Sequence, residues 1–181
     1  MLTLTTELAA NLRGCGRWVD DCFRSLLPGK YDTPQRRVMM IAIAGQESGD
    51  WLQTRQIAFY RDGKPVYGKA NGVTQFEENG AVKAVLQHVS TSIEAKAVCL
   101  RRGVAPLPGD AWRAMAVDQP FNLAFAALLL YSDRAPLPAL GDVEGALAYY
   151  LRNWRPGKPH PDTWRFYYLA ALEFVTGRSI H

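Results

Sequence analysis

The architecture follows from one stretch of the 181-residue chain, TPQRRVMMIAIAGQESG, which occupies residues 33–49. Threonine is a favourable helix N-cap and proline fits the first helical position, so we predict a helix that begins at Pro34. Residues 38–44 are apolar on every side of that helix, which is typical of a helix buried all round. We therefore predict a central buried helix that ends within residues 45–49 and carries a carboxylate, Glu47, at its end.

A single β signal follows this helix. Aromatic-rich runs at residues 57–61 and 65–67 flank the sequence DGK at residues 62–64, and Asp-Gly between such runs is typical of a hairpin turn. A glycine-spaced loop is expected at residues 68–72. Everything else reads as helix, so the predicted fold class is predominantly helical α+β with a small β-hairpin after a buried central helix.

Capping residues predict where the other helices begin. Apolar spacing favours helices over residues 4–13 and 17–27, which form an N-terminal helical extension at 1–32 before a core at 33–177. The expected N-caps downstream are Asn79, one of residues 90–92, Asp110, Asp118, Asp142 and Asp162. The expected helix ends are Val89, Gly103, Tyr131, Trp154 and Gly177. The length fits one domain over residues 1–181.

Composition narrows the function classes. Apolar residues make up 48% and charged residues 21%, which excludes a disordered tail and a collagen-like rod. The longest apolar runs are too short to cross a bilayer, so we expect no membrane span. The net charge is +4 and 15 of the 21 basic residues are arginine, a residue that prefers planar anionic partners. An anionic polymer, either nucleic acid or bacterial wall, fits this balance. The alternative is an ordinary solvated basic surface, because the largest basic clusters are only the pairs at residues 36–37 and 101–102.

The cysteines and the first residues of the chain indicate in which cellular compartment the protein is made. The three cysteines are an odd number and show no zinc-ligand spacing, so we expect buried thiols, no metal and no cofactor. The first seven residues lack the basic and apolar regions of a secretory signal. We therefore expect synthesis in the cytoplasm without a signal peptide.

Glu47 is the first candidate for chemistry. A carboxylate at the end of an apolar helix is partly desolvated and faces the negative end of the helix dipole, and both effects raise its pKa. A carboxylic acid that stays protonated near neutral pH is what general acid catalysis requires. The alternative is an ordinary carboxylate at a helix end that turns to water.

Three short motifs sharpen this interpretation. Glu47-Ser48 ends the buried helix, Gly72-Val73-Thr74-Gln75 follows the hairpin, and Ala148-Tyr149-Tyr150 comes much later, with Asn153 four residues after Tyr149. Over about residues 34–174 this order resembles the lytic transglycosylase and goose-type lysozyme group. Thr74 replaces the usual hydrophobic residue, and an asparagine directly after the tyrosine is missing. The segment DQPFNL at residues 118–123 also resembles the helix before the third motif.

The resemblance implies a lysozyme-like fold and a peptidoglycan-cleaving enzyme of a phage- or secretion-associated type. Glu47 would protonate the β-1,4 bond between MurNAc and GlcNAc and act as general acid and base. The substrate-binding residues that it implies are Ser48, Gln75, Tyr149 and Asn153. The implied partners are peptidoglycan glycan strands and proteins of a phage virion or secretion apparatus that deliver the chain to the cell wall, with no nucleic acid.

Several alternatives stay open at this point. A hydrolase often uses a second carboxylate, and Asp50, Glu77 and Glu78 are the nearby ones, although the last two also suit a helix N-terminus. We favour the single-acid mechanism. The alternative to an enzyme is a non-catalytic lysozyme-fold protein that serves as a structural or wall-binding part. A helical nucleic-acid-binding protein is the third hypothesis, supported only by the arginine-rich balance.

Overall fold

The computed structural model describes residues 4–177. They form eight α-helices and one three-stranded antiparallel sheet. The helices are α1 (Thr6–Ser25), α2 (Pro34–Ser48), α3 (Lys83–Gln87), α4 (Ser92–Arg101), α5 (Pro108–Met115), α6 (Gln119–Ser132), α7 (Val143–Trp154) and α8 (Pro161–Thr176). The strands are β1 (Arg55–Arg61), β2 (Lys64–Asn71) and β3 (Phe76–Glu77). The predicted class, predominantly helical α+β, is confirmed.

Helix α2 begins as the sequence predicts and is the central helix. The Thr33 hydroxyl accepts a hydrogen bond from the Arg36 amide at 3.2 Å, and Pro34 occupies the first turn. Every residue from 38 to 45 is buried, and α1, α6, α7 and α8 pack around this segment. A side chain at position 45 would clash, because a Cβ there would lie 2.5 Å from the ring of Tyr167, so glycine is needed for this packing. The helix therefore reaches the end of the core with Glu47 in its last turn.

The N-terminal extension is one helix, α1, rather than the two that were predicted. Gly16 stands in its middle because a Cβ would lie 2.3 Å from the Phe174 ring of α8, so the glycine permits close packing. Cys15 and Cys22 lie on its buried face and are unbridged. Residues of α1 belong to the same apolar cluster as those of α2 and α6, so the extension and the core share one interior.

The hairpin turn is confirmed, and the sheet is larger than predicted. Asp62 and Gly63 both have positive φ, 50° and 74°, as a two-residue hairpin turn of the favoured hand requires. Residues 68–71 were expected as a loop, but they continue β2, which pairs with β3. The Asn71 amide donates to the Trp112 carbonyl at 3.0 Å and holds this part of the strand against α5. Asn71 also pairs with Arg55, so the two ends of the hairpin face each other.

The caps of α6 and α7 are confirmed, and so is the end of α8. The carboxylates of Asp118 and Asp142 each accept a backbone amide hydrogen bond from the first turn of their helix, both at 2.9 Å. Helix α7 ends at Trp154 as predicted. Gly177 ends α8 with a left-handed φ of 64°.

Three other predicted starts were wrong. Helices α5 and α8 begin at Pro108 and Pro161 rather than after Asp110 and Asp162, because proline takes the first turn and leaves the aspartate inside it. Asn79 caps nothing and lies within an irregular turn at Glu78–Val82, after which α3 runs only to Gln87. No helix within residues 4–177 is both long and apolar enough to cross a membrane.

Candidate active site

Glu47 occupies a half-buried position in the last turn of α2. Burial raises the pKa of its carboxyl from 4.5 to about 7, because the charged form loses solvation. A hydrogen bond from the hydroxyl of Tyr150 to Oε1, at 2.5 Å, acts in the opposite direction and keeps the pKa from rising further. A carboxyl with these properties is present in both protonation states near neutral pH.

Tyr150, from α7, is the hydrogen-bond partner of Glu47, and the packing of its ring holds its hydroxyl in position. Its ring stacks on Trp164 with the centroids 5.0 Å apart and the planes 6° from parallel. Burial and the neighbouring carboxylate both raise the pKa of the Tyr150 hydroxyl, so this group remains a donor. Because Oε1 accepts its hydrogen bond, the acidic proton of Glu47 belongs on Oε2.

The loop at residues 72–75 is held in place by two side chains of α6. The amide of Val73 donates to Gln119 Oε1 at 2.9 Å. The amide and hydroxyl of Thr74 both donate to Asn122 Oδ1, at 3.1 and 3.0 Å. Thr74 is fully buried, and this partner explains how its hydroxyl is accommodated in the interior.

Gly72 is required for the same contact. Its φ is 78°, and a Cβ at this position would lie 2.2 Å from Cγ of Asn122. Only glycine adopts this conformation without strain and lets the loop backbone approach α6 so closely. The glycine of the second motif therefore serves the anchoring of the loop.

Trp154 connects this loop to Glu47. Its indole Nε1 donates to the Thr74 carbonyl at 3.1 Å. Its ring packs against Tyr150 on one side, with centroids 6.3 Å apart, and against Phe76 on the other, at 5.5 Å. We call Glu47, Tyr150, Trp154 and Thr74 the carboxyl cluster. It joins the end of α2, the loop after β2 and the end of α7.

Ser48 and Gln75, two of the predicted substrate-binding residues, lie next to members of the carboxyl cluster in sequence. The Ser48 hydroxyl donates to the Ala44 carbonyl at 2.6 Å and is buried. The Gln75 amide donates to the carbonyls of Gly72 and Gln53, at 2.8 and 3.3 Å, and its backbone has a positive φ of 50°. In this structure both side chains hold the local backbone, and their contact with substrate stays a prediction.

Tyr149 and Asn153, the other two, occupy the neighbouring face of α7. The Tyr149 hydroxyl donates to the Leu130 carbonyl at 2.7 Å. The Asn153 amide donates to Asp133 at 2.8 Å and to the Tyr149 carbonyl at 2.9 Å. Asn153 is therefore hydrogen-bonded to Tyr149, whereas Glu47 is hydrogen-bonded to Tyr150, the next residue of α7. The signal for Tyr150 was its four-residue spacing from Trp154, which places the two rings on one face.

The other acidic residues near Glu47 have separate surroundings. Asp50 accepts a hydrogen bond from the Tyr167 hydroxyl at 3.0 Å, and the backbone at Asp50 and Trp51 is left-handed, with φ of 56° and 61°. Glu77 is exposed on β3 and Glu78 is half-buried. Among residues 4–177, no three histidine, cysteine or acidic side chains are arranged to hold a metal ion.

Two surface cavities lie away from the carboxyl cluster. One, of about 550 Å³, is lined by Trp18 and Asp21 of α1, Arg102, and residues 116–120, among others. The other, of about 410 Å³, lies between α1, α2 and α8. Glu47 lines neither.

We compared the chain with known proteins. No family model, curated protein or solved structure matches it.

The chemistry that the site can perform therefore has to be inferred from the carboxyl cluster itself. It offers a carboxyl that ionises near neutral pH, a hydroxyl that orients it and an anchored loop beside it. Such an arrangement is suited to giving up a proton and taking one back.

Proposed function

We propose that this chain cleaves peptidoglycan glycan strands at the β-1,4 bond between MurNAc and GlcNAc, with Glu47 as general acid and base. The observation that carries the proposal is the half-buried carboxyl with a pKa of about 7. At neutral pH about half of the molecules hold the proton, and an acid with a pKa near the working pH is the most effective. The order of the three motifs supports the substrate class through the resemblance to lytic transglycosylases.

A single carboxyl, that of Glu47, both supplies the proton for this reaction and takes a proton back. Glu47 Oε2 gives its proton to the glycosidic oxygen while the bond from that oxygen to C1 breaks. The positive charge that develops at C1 is met by the oxygen of the MurNAc 6-hydroxyl, which forms the new bond. The proton of that hydroxyl returns to Glu47, so the products are a free GlcNAc hydroxyl and a 1,6-anhydro ring. Tyr150 keeps Oε1 occupied throughout.

The surroundings of the other carboxylates favour this single-acid mechanism over a hydrolase. Asp50 is engaged by Tyr167, and Glu77 is exposed on β3. A water-using glycosidase often uses a second carboxylate across the scissile bond. Neither residue shares a hydrogen bond with Glu47 or with Tyr150.

The test is to incubate the purified chain with peptidoglycan sacculi and to identify the soluble muropeptides by mass spectrometry. We expect 1,6-anhydro products from the wild type and a loss of about 10²–10⁴-fold in rate for Glu47→Gln, because glutamine keeps the shape of the side chain but carries no acidic proton. Glu77→Gln is the matched control, and we expect it to retain most of the activity.

The other outcomes separate the alternatives. Reducing-end products together with an equal loss in Glu77→Gln would indicate a two-carboxylate hydrolase. A folded wild type that binds sacculi and releases nothing would support the non-catalytic wall-binding protein. Equal rates for wild type and Glu47→Gln would remove Glu47 from the chemistry. The delivery route is tested by looking for the same muropeptides when a phage or a secretion apparatus carries the chain to the wall.

A further inference from the structure

Residues 55–69 of the hairpin formed by β1 and β2 project from the molecule and include no buried residue. Every residue from 55 to 69 is exposed or half-buried, and only the last two residues of β2 enter the interior. The hairpin is held at its base, where the Trp112 indole donates to the Lys69 carbonyl at 2.9 Å. Two strands alone are marginally stable in water. The side chains of this projection therefore serve something other than the core.

Aromatic side chains stand on both faces of the hairpin. Strand pairing places Tyr67 opposite Ile57 and Tyr60 opposite Pro65 on one face, and Phe59 opposite Val66 on the other. Phe59, Tyr60 and Tyr67 are 49%, 65% and 45% exposed. Rings on both faces fit a medium that can surround the hairpin, such as the headgroup layer of a bilayer.

The hairpin also carries several cations. Its four basic residues are Arg55, Arg61, Lys64 and Lys69; with the single carboxylate, Asp62, they give a formal net charge of +3 over residues 55–71. None of the four forms an ion pair with a carboxylate of residues 4–177. Six of the twelve arginines elsewhere in residues 4–177 are bridged to acids: Arg24, Arg37, Arg101, Arg102, Arg113 and Arg152. What sets the hairpin apart is that its unbridged cations stand together with exposed rings on one short projection.

The cations and the rings are interleaved. The Arg55 guanidinium stacks on Tyr67, 3.6 Å from the ring centroid, and that of Arg61 lies 5.5 Å from the ring centroid of Phe59. Mixed aromatic and basic side chains are characteristic of the headgroup layer of bilayers, where rings enter the interface and cations meet anionic lipids. The projection is convex, and neither surface cavity is lined by a residue from 55 to 69.

We propose that the hairpin at residues 55–69 docks this protein on the surface of a bilayer that contains anionic phospholipids. The rings of both faces enter the headgroup layer, and the four unpaired cations lie among the lipid phosphates. This contact is interfacial and spans nothing. It depends on the hairpin alone, so it stands or falls separately from wall cleavage.

The experiment is co-sedimentation of the full chain with two kinds of vesicle, one of pure phosphatidylcholine and one with equal parts phosphatidylcholine and phosphatidylglycerol. We expect binding to the second kind only, weakening as salt is added because screening shortens the reach of the charges. Each basic residue near an anionic surface contributes about fivefold to partitioning, so Arg61→Gln with Lys64→Gln should reduce it about 30-fold.

A matched control is available on α3 and α4. Lys83 and Lys96 are exposed cations that form no ion pair with a carboxylate of residues 4–177, so Lys83→Gln with Lys96→Gln removes two charges from another surface. This variant should bind like the wild type. An equal loss in it, or no loss in the hairpin variant, would overturn the proposal. Binding to single-stranded DNA or sacculi through the hairpin, with none to vesicles, would overturn it as well.

A second measurement reports the contact directly and keeps the proposal testable if a charge variant folds poorly. The three native cysteines are buried, so Tyr60→Cys accepts an environment-sensitive dye at one accessible site. We expect its emission to shift to the blue with anionic vesicles, and no shift from the same dye at Ile93→Cys. An unchanged emission at position 60 would contradict the docking.

Discussion

The end of α2 and the β1–β2 hairpin are neighbours in the chain but use burial in opposite ways. Glu47 is an ionisable group that is mostly removed from solvent, whereas Tyr60 is an aromatic ring left in water. Each arrangement is unfavourable for folding, because desolvating a carboxylate and exposing a ring both cost free energy. Departures of this kind are expected where a protein meets its partners. One region thus encloses most of an ionisable group, and the other leaves apolar rings in contact with water.

The largest effect on stability should come from Gly72→Ala. Alanine at a φ of 78° is strained, and its Cβ would collide with Asn122, so we expect a loss of about 3–4 kcal/mol in the free energy of unfolding. Gly63→Ala at the hairpin tip, with a φ of 74° and open space around it, should lose only about 1 kcal/mol. Urea unfolding of both variants measures the difference. Equal losses would mean that the loop is not anchored by close packing.

The pH dependence of stability should depend on Glu47. Its folded pKa is about 7 and its ordinary value is 4.5, so below pH 4.5 the carboxyl is neutral in both states. As pH rises between these values the unfolded chain ionises first, and stability falls until the folded pKa is passed. Glu47→Gln lacks this term, so relative to the wild type it should gain up to about 3 kcal/mol from about pH 4 to about pH 8. Parallel stability curves would show that Glu47 is solvated.

A smaller effect is expected from Tyr150→Phe. The hydroxyl stabilises the ionised form of Glu47, so its removal raises the pKa of that carboxyl and moves the alkaline limb of the rate profile to higher pH. The rate at the optimum should fall about fivefold, the equivalent of one hydrogen bond. Tyr149→Phe removes a hydroxyl from the neighbouring face and should leave the limb in place. A shift in both variants would mean that the effect is structural.

The smallest effect on stability should come from the hairpin. Tyr60→Ser with Arg61→Gln removes two exposed side chains, so the free energy of unfolding should change by less than about 0.5 kcal/mol. Chemical denaturation measures it. A loss above about 2 kcal/mol would show that the hairpin contributes to the core, and the contrast with the end of α2 would disappear.

What the sequence predicted well depends on short-range signals. Thr33 with Pro34 begins α2, Asp142 begins α7, and Asp-Gly turns the hairpin, each through contacts within a few residues. The starts of α5 and α8 were missed because proline and aspartate compete for the same turn, and proline lies first. The position of Glu47 at the end of a buried helix needed only the run of apolar residues before it.

The rest of the site depends on contacts between distant residues. Gln119 and Asn122 hold the loop at residues 72–75 across 46 and 48 positions, a link that no local pattern reveals. The side chains of Tyr149 and Tyr150 point about 100° apart round α7, and both are buried tyrosines. The sequence could place α7 but not select the face that meets Glu47.

The pairing of Arg55 with Asn71 has a consequence for how such a protein changes over time. Paired strand positions lie about 5 Å apart, a gap that a short turn can close, so the hairpin leaves and re-enters the body of the protein at nearly the same place. It can be lengthened, exchanged or removed without moving α2, α6 or α7. Descendants of this chain can therefore acquire new attachment surfaces while the same carboxyl remains in place, and designers can graft there for the same reason.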